Sequence, residues 1–280
     1  MHSQINSKVS VPLVRDSSGN LSGDRLQCSE IFAETFASAF TDEPIGQLPS
    51  VAARKCLSSL SCVKFSVVEI RASLTQLELS TAPGLDGISA RVLSICAEFF
   101  CVPLNIIINK SFDCGIFPLQ WKLANITPIF KKGDKFEAIN YRPISLLSLA
   151  AKIAEKLVCS RLIEFFSDNR LIPAEQHGFI AGRSVITCLL RCIDSWSKSL
   201  DNGSPVDIIY LDFSRAFDRV PLRRLLLKLE RFGVRGKLLA WIENFLTDRK
   251  FKVRIGDPFS ASRPVCWSRI WARSWVISSF

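Results

Sequence analysis

The sequence predicts an α+β fold, and three observations carry that expectation. Strand-like and helix-like patterns alternate irregularly, without the regular strand–helix–strand rhythm of a doubly wound sheet. The 280 residues are 48% hydrophobic, enough for one or two packed cores, with no internal repeat or low-complexity tract. The most apolar stretch, 92–109, is interrupted by Glu98, Pro103 and Asn105. A bilayer span needs about 20 apolar residues with few interruptions, so this stretch predicts a buried helix pair.

The elements follow in order. Residues 16–20, DSSGN, form a turn cluster. A helical pattern occupies 25–40, where Ile31, Phe32, Phe36 and Phe40 recur near the helical period. Residues 41–66 read as a loop with short elements. SVVEIRASLTQL, 66–77, predicts a helix with Ser66 as N-cap and Glu69 completing a capping box. TAPGLDGIS, 81–89, is a loop because Pro83, Gly84 and Gly87 demand turn geometry, and Ser89 can cap the apolar helix that follows. Residues 123–131 have strand composition, with Pro128 predicting an edge or a bulge. A polar loop at 131–143 leads to an amphipathic helix at 146–166. A second loop at 173–184 precedes a helix at 185–200. A strand at 206–212, helices near 221–232 and 236–247, and an alternating basic strand at 249–256 complete the pattern.

Composition narrows the function classes. Ten cysteines and two histidines occur, but no C-x-x-C spacing does, so a zinc site lacks its usual form. Cys188 and Cys192 share a helix face, yet two thiols do not make a site. The cysteines therefore read as small reduced core residues of an intracellular protein. The leading MHSQINSKVS has no basic segment followed by an apolar run, so the chain is expected in the nucleus or cytoplasm and not secreted. Residues 1–118 hold 9 Lys and Arg against 11 Asp and Glu, whereas residues 119–280 hold 27 against 15. A basic half beside a near-neutral one predicts a polyanionic partner, although a ribosomal or membrane-surface protein has the same balance.

Chemistry concentrates in IIYLDFSRAFD, 208–218. An apolar run ends on Asp212. An aspartate there commonly caps a helix or closes a turn through its own backbone. The functional reading is a hard oxygen ligand for Mg²⁺, because two-metal phosphoryl transfer needs several carboxylates around ions about 3.5–4 Å apart. Asp218, six positions on, would point elsewhere and brace the helix beginning near Pro221.

The longer stretch YLDFSRAFDRVPLRRLLLKL, 210–229, resembles the first catalytic motif of reverse transcriptases from non-LTR, jockey-like retrotransposons. So do GNLSGDRLQCSEIFAETFASAFT (19–41), TAPGLDGIS (81–89), FPLQWKLANITPIFKKGD (117–134), NYRPISLLS (140–148), AEQHGFIAGRS (174–184) and GKLLAWIENFLTDRKFKVRIG (236–256), in family order. The resemblance covers roughly residues 10–265. It implies a right-hand polymerase, here fingers and a partial palm, truncated before the rest of the palm and the thumb. It also implies a division into an N-terminal extension over 1–80, the fingers and partial palm over 81–265, and an aberrant tail over 266–280.

The resemblance implies site residues as well. Asp212 would be a palm carboxylate binding the catalytic Mg²⁺ pair, with the Phe213 carbonyl on the same metal. Phe217 matches the aromatic gate that favours dNTPs, against its plainer reading as a core aromatic. Arg215 and Ala216 would lie beside the triphosphate. Lys131, Lys132 and Arg142 resemble the fingers clamp on the nucleotide's phosphates, where Lys supplies a point charge and Arg a bidentate fork. A solvated charged loop is the alternative. Gly178, Phe179, Gly182 and Arg183 match a segment facing template and nucleotide, with Gln176 and His177 structural. Pro83, Gly84, Asp86 and Gly87 match a family loop whose physical content is a fixed turn. The implied partners are an RNA template, a DNA primer and dNTPs, with no membrane.

Three departures stand against the pattern. Thr81 and Ile180 replace a usual Lys and Arg, each removing a positive charge near nucleic acid. The family's Gly-x-Pro-Gln-Gly segment and Tyr-x-Asp-Asp hairpin, source of two further metal-binding carboxylates, have no counterpart, and no Asp-Asp pair occurs. The tail CWSRIWARSWVISSF holds three of the six tryptophans. Because Trp has the single codon TGG and Val begins GT, reading Trp275–Val276 two bases later forces a glycine codon, which predicts a frameshift near residue 266. No preceding endonuclease domain is matched, so Met1 is expected to be an internal start. The expected chemistry is attack of a primer 3′-OH on a dNTP α-phosphate. With one carboxylate of three, this chain is expected to be inactive or nearly so. The other readings are a non-catalytic nucleic-acid-binding remnant and an unstable pseudogene product.

Overall fold

The computed structural model describes residues 12–38, 58–212 and 220–265. The N-terminal turn cluster closes a short hairpin of β1 (Val14–Arg15) and β2 (Leu21–Ser22). The Asp16 side chain accepts the Ser18 and Asn20 backbone N–H groups, both at 2.9 Å. Helix α1 (Arg25–Ala37) starts at Asp24, whose carboxylate accepts from the Gln27 N–H, and it buries Cys28, Phe32 and Phe36. Helix α2 (Val67–Thr75) carries the expected capping box between Ser66 and Glu69.

The apolar stretch forms a helix pair, α3 (Ala90–Ile95) and α4 (Ala97–Cys114), with Ser89 capping the first. Among the described residues no helix is long and apolar enough to cross a membrane. All eight described cysteines are free thiols.

The sheet is built from β3 (Leu123–Phe130), β4 (Tyr141–Leu146), β5 (Arg249–Val253) and β6 (Arg263–Val265), in the order β4-β3-β5-β6. β3 and β5 run parallel, and the other two pairings are antiparallel. Between these strands lie α5 (Leu149–Asp168), α6 (Val185–Asp201), α7 (Leu222–Arg231) and α8 (Gly236–Leu246). The chain is thus α+β, as its irregular patterning predicts.

Three expectations need correction. β4 occupies residues expected to end a polar loop and open a helix, and α5 starts three residues later than expected. Pro143 hid the strand, because proline lacks the N–H a ladder requires. Its partner is Pro128. The Lys131 N–H donates to the Asn140 carbonyl at 2.9 Å, and alternation from that pair makes Pro128–Pro143 a non-hydrogen-bonded pair. Neither proline breaks a β3–β4 bond, and Pro128 lies beyond the last β3–β5 pair, Ile126–Val253. So Pro128 sits in an inner strand, at a point where that strand has one neighbour. Finally, 206–212 is not a strand. Ile209, Tyr210 and Leu211 are 82–84% exposed. Apolar composition favours an extended chain, but a strand needs a partner edge, and no described strand offers one here.

Aromatic contacts join α4 to α8 in the core. Trp241 stacks on Phe245 at 5.4 Å and tilts against Phe112 at 4.4 Å, while its indole N–H donates to Ser111 Oγ at 2.8 Å. Gly84 marks a close approach: a Cβ there would lie 2.5 Å from the Ser148 nitrogen. The 81–89 loop is thereby pressed against the start of α5.

Arg249 and Glu155 are both 1% exposed. Burial pushes the Glu155 carboxyl up from 4.5 to about 8, against the opposing pull of Arg249 and Lys152. The same burial works against the Arg249 charge, but a guanidinium keeps its proton in proteins, so the carboxyl is the group that titrates. The folded state then holds a proton on Glu155 that the unfolded chain has released. This contribution to stability is full below about pH 4.5, falls as pH rises towards 8, and is flat above. Denaturant midpoints measured across that window should fall less steeply in Glu155→Gln than in the unsubstituted chain; equal slopes would show that Glu155 titrates normally.

Candidate functional site

The β3–β4 hairpin collects the predicted phosphate-binding residues. Arg142 stands directly opposite Ile129, and Lys131 extends the same pleat one residue past β3, its N–H still bonded to Asn140. Alternation therefore places Lys131 and Arg142 as diagonal neighbours on one face, with Lys132 next to them at the tip. All three are exposed, and none has an ion-pair partner among the described residues. The loop joining the strands is tightly held. Gly133 adopts φ +93° against the Asn140 side chain, Asn140 Nδ2 donates to the Asp134 carbonyl, and the Tyr141 hydroxyl donates to the Lys135 carbonyl. Arg15 pairs with Glu137 at 3.0 Å.

The register adds two cations that the sequence could not assign. Lys250 pairs with Leu123, and Lys252 with Asn125, across the parallel ladder. Asn125 in turn faces Leu146 on β4. Lys250, Lys252 and Arg142 thus lie on one sheet face, while Phe251 and Val253 turn into the core. At its middle Asn125 is 4% exposed, and its Oδ1 has no hydrogen-bond partner among the described residues. The alternating basic pattern of 249–254 was legible, but not which strand it would pair with.

The second predicted segment is a loop fastened from within. Arg183 Nη1 donates to the carbonyls of Pro173, Ala174 and Gln176. Arg191 donates to the Ala174 carbonyl and pairs with Glu175 at 2.9 Å. Gln176 Nε2 bonds the Gly178 carbonyl, and His177 Nδ1 lies 2.9 Å from Thr187 Oγ1, so both act structurally, as expected. Gly182 (φ +75°) faces open space. Phe179 has φ +61°, an unusual conformation for a large side chain, and is half exposed. Arg183 therefore organises the loop that presents Phe179 and Gly182.

Asp212 is exposed, and the 213–219 segment that carries Phe213, Arg215, Ala216 and Phe217 lies outside the described residues. No group of three or more His, Cys, Asp or Glu side chains converges among the described residues. Those residues alone do not make up the oxygen-ligand set that a divalent-ion pair requires.

The model for reverse transcriptase (RNA-dependent DNA polymerase) matches residues 129–268, which is half of the chain. The chain belongs to the reverse transcriptase family. It is 31% identical over 212 residues to the probable RNA-directed DNA polymerase from transposon BS of Drosophila melanogaster, covering 73% of this chain and 23% of that protein. It is 28% identical over 261 residues to the RNA-directed DNA polymerase from mobile element jockey of the same organism, covering 90% and 28%. The corresponding X-element protein matches at 27% over 261 residues, covering 91% and 28%. The chain thus spans about a quarter of the length of these relatives. The matched region runs from the tip of β3 past β6, and so contains the basic hairpin, the Arg183 loop and Asp212.

Because Arg183 satisfies three loop carbonyls, Arg183→Ala should speed amide exchange across 174–183 by about tenfold or more while leaving the global unfolding midpoint nearly unchanged. A large drop in that midpoint, with no local change, would contradict the assignment.

Proposed function

We propose that this chain forms the fingers and the first part of the palm of an RNA-directed DNA polymerase of the non-LTR, jockey-like type, over 81–265, preceded by an extension over 1–80. The observation that carries the reading is the hairpin register: within the region matched by the family, Lys131 and Arg142 meet on one exposed face, neither with an ion-pair partner among the described residues. That arrangement suits phosphate oxygens. Arg142 offers a planar fork and the lysines offer mobile point charges, so the hairpin holds the triphosphate of an incoming dNTP. Lys250 and Lys252 extend the face along β5 towards a nucleic-acid backbone. Phe179 and Gly182 present the second loop to the template.

Reverse transcriptases use divalent metal ions. Asp212 and the Phe213 carbonyl are the candidate ligands in this chain, and Phe217 the candidate gate against a 2′-hydroxyl. Since the 280 residues contain no Asp-Asp pair, the part of the reaction assigned to them is binding and positioning of template and nucleotide.

Electrostatic binding has a direct signature. The affinity of the chain for a single-stranded RNA should fall with rising salt, and Lys131→Ala/Lys132→Ala should reduce the magnitude of the logarithmic slope by about 1.4, near 0.7 for each phosphate no longer neutralised. RNA binding with the same slope in both proteins would remove the lysines from the interface.

A further inference from the structure

On the opposite face of the β3–β4 hairpin from Arg142 lies a cavity of about 870 Å³. Its floor is aromatic: Phe130 and Tyr141 meet edge-on at 5.5 Å, and Tyr141 is backed by Phe32 at 4.8 Å. One wall is the 133–136 loop with Phe136, and the other is formed by Leu13 and Arg254. The loop is pre-formed. Asp134 accepts the Phe136 N–H at 2.9 Å, and the Phe136 carbonyl accepts the Arg15 N–H at 2.8 Å. Phe136 is nonetheless 38% exposed while lining the cavity. Two cations, Lys135 and Arg254, and one acid, Asp134, line the cavity, and Arg254 pairs with Asp257 at 3.9 Å. The Lys135 ammonium lies 5.7 Å from the Phe130 ring centroid, and the Arg254 guanidinium lies 5.2 Å from that of Phe259.

An aromatic-floored cavity with cations in its lining matches the chemistry of single-stranded nucleic acid, in which bases stack on rings and phosphates follow the positive charge. We propose that this cavity takes an unpaired base of single-stranded RNA, with Phe136 as the stacking ring and Lys135 as a phosphate contact. The proposal rests on the polymerase reading for the kind of strand supplied, but it concerns a face of the hairpin that the nucleotide clamp does not use. Charge complementarity decides for RNA over an apolar peptide, since two cations, Lys135 and Arg254, line the cavity against one acid, Asp134.

The test compares two fluorescein-labelled probes of about ten nucleotides, an oligouridylate and an abasic ribose-phosphate oligomer, by anisotropy with the 280-residue chain. The oligouridylate should bind more tightly. Phe136→Ala should weaken it about tenfold with an unchanged salt slope, and leave the abasic probe unaffected, while Phe136→Trp retains the affinity. Lys135→Ala should instead reduce the slope for both probes. Equal binding of the two probes, unaltered by Phe136→Ala, would overturn the base pocket and leave the polymerase reading standing. Failure of the unsubstituted chain to bind either probe would overturn both. Tight binding of a peptide of residues 1–11, with no effect of Phe136→Ala on RNA, would reassign the cavity to the chain's own leading segment and overturn the proposal.

Discussion

Arg249 is the constraint on which the arrangement of the sheet depends. A guanidinium that is 1% exposed is costly to bury, and this one is held by two carbonyls and two aromatic rings. Here Nη1 donates to the Phe245 carbonyl at 2.8 Å, capping the end of α8, and Nη2 donates to the Trp121 carbonyl at 3.1 Å, just before β3. The planar group lies over the Phe245 and Phe117 rings at 4.7 and 5.3 Å. One side chain thereby ties α8 and the approach to β3 to the first residue of β5. Those ties fix the parallel β3–β5 pairing. Without that pairing, β3 would be free to shift relative to the basic strand beside it.

The functional face follows from this anchoring. Once β3 and β5 are held in register, pleat alternation alone sends Lys250 and Lys252 to the side that carries Arg142, and sends Phe251 and Val253 inwards. The same alternation turns Phe130 and Tyr141 to the other side, where they line the cavity. The hairpin thus presents cations on one face and rings on the other, two surfaces suited to different parts of one ligand class. Helix α6 shows what an element looks like without such anchoring. It has a sound capping box, yet none of its side chains is buried, and Ile186, Leu189, Leu190 and Ile193 stand more than half exposed.

Much of the fold was legible because local chemistry determined it. Ser66 with Glu69, Ser89, and the Asp16–Asn20 turn act over a few residues, and each does in the structure what its type predicts. What was not legible depended on distant partners. Tyr141–Leu146 pairs through two prolines that read as strand breakers, and residues 206–212 read as a strand although no described edge receives them. At the site, Lys131, Lys132 and Arg142 could be named from their motif, but their common face required the register. Arg183 carried the right charge at the right place in the motif, but its three carbonyl partners could not be inferred from order alone. Phe213, Arg215, Ala216 and Phe217 lie outside the described residues, so their roles stand on the motif.

The claim that joins these parts is that the hairpin face is a phosphate clamp centred on Arg142. It is tested most directly by the affinity of a fluorescent dNTP for the 280-residue chain beside its Arg142→Ala and Arg142→Lys forms. The account predicts a loss of about tenfold or more in the alanine form, as expected for removing hydrogen bonds to a charged group, with part of it restored by lysine. Equal affinity in all three proteins would contradict it.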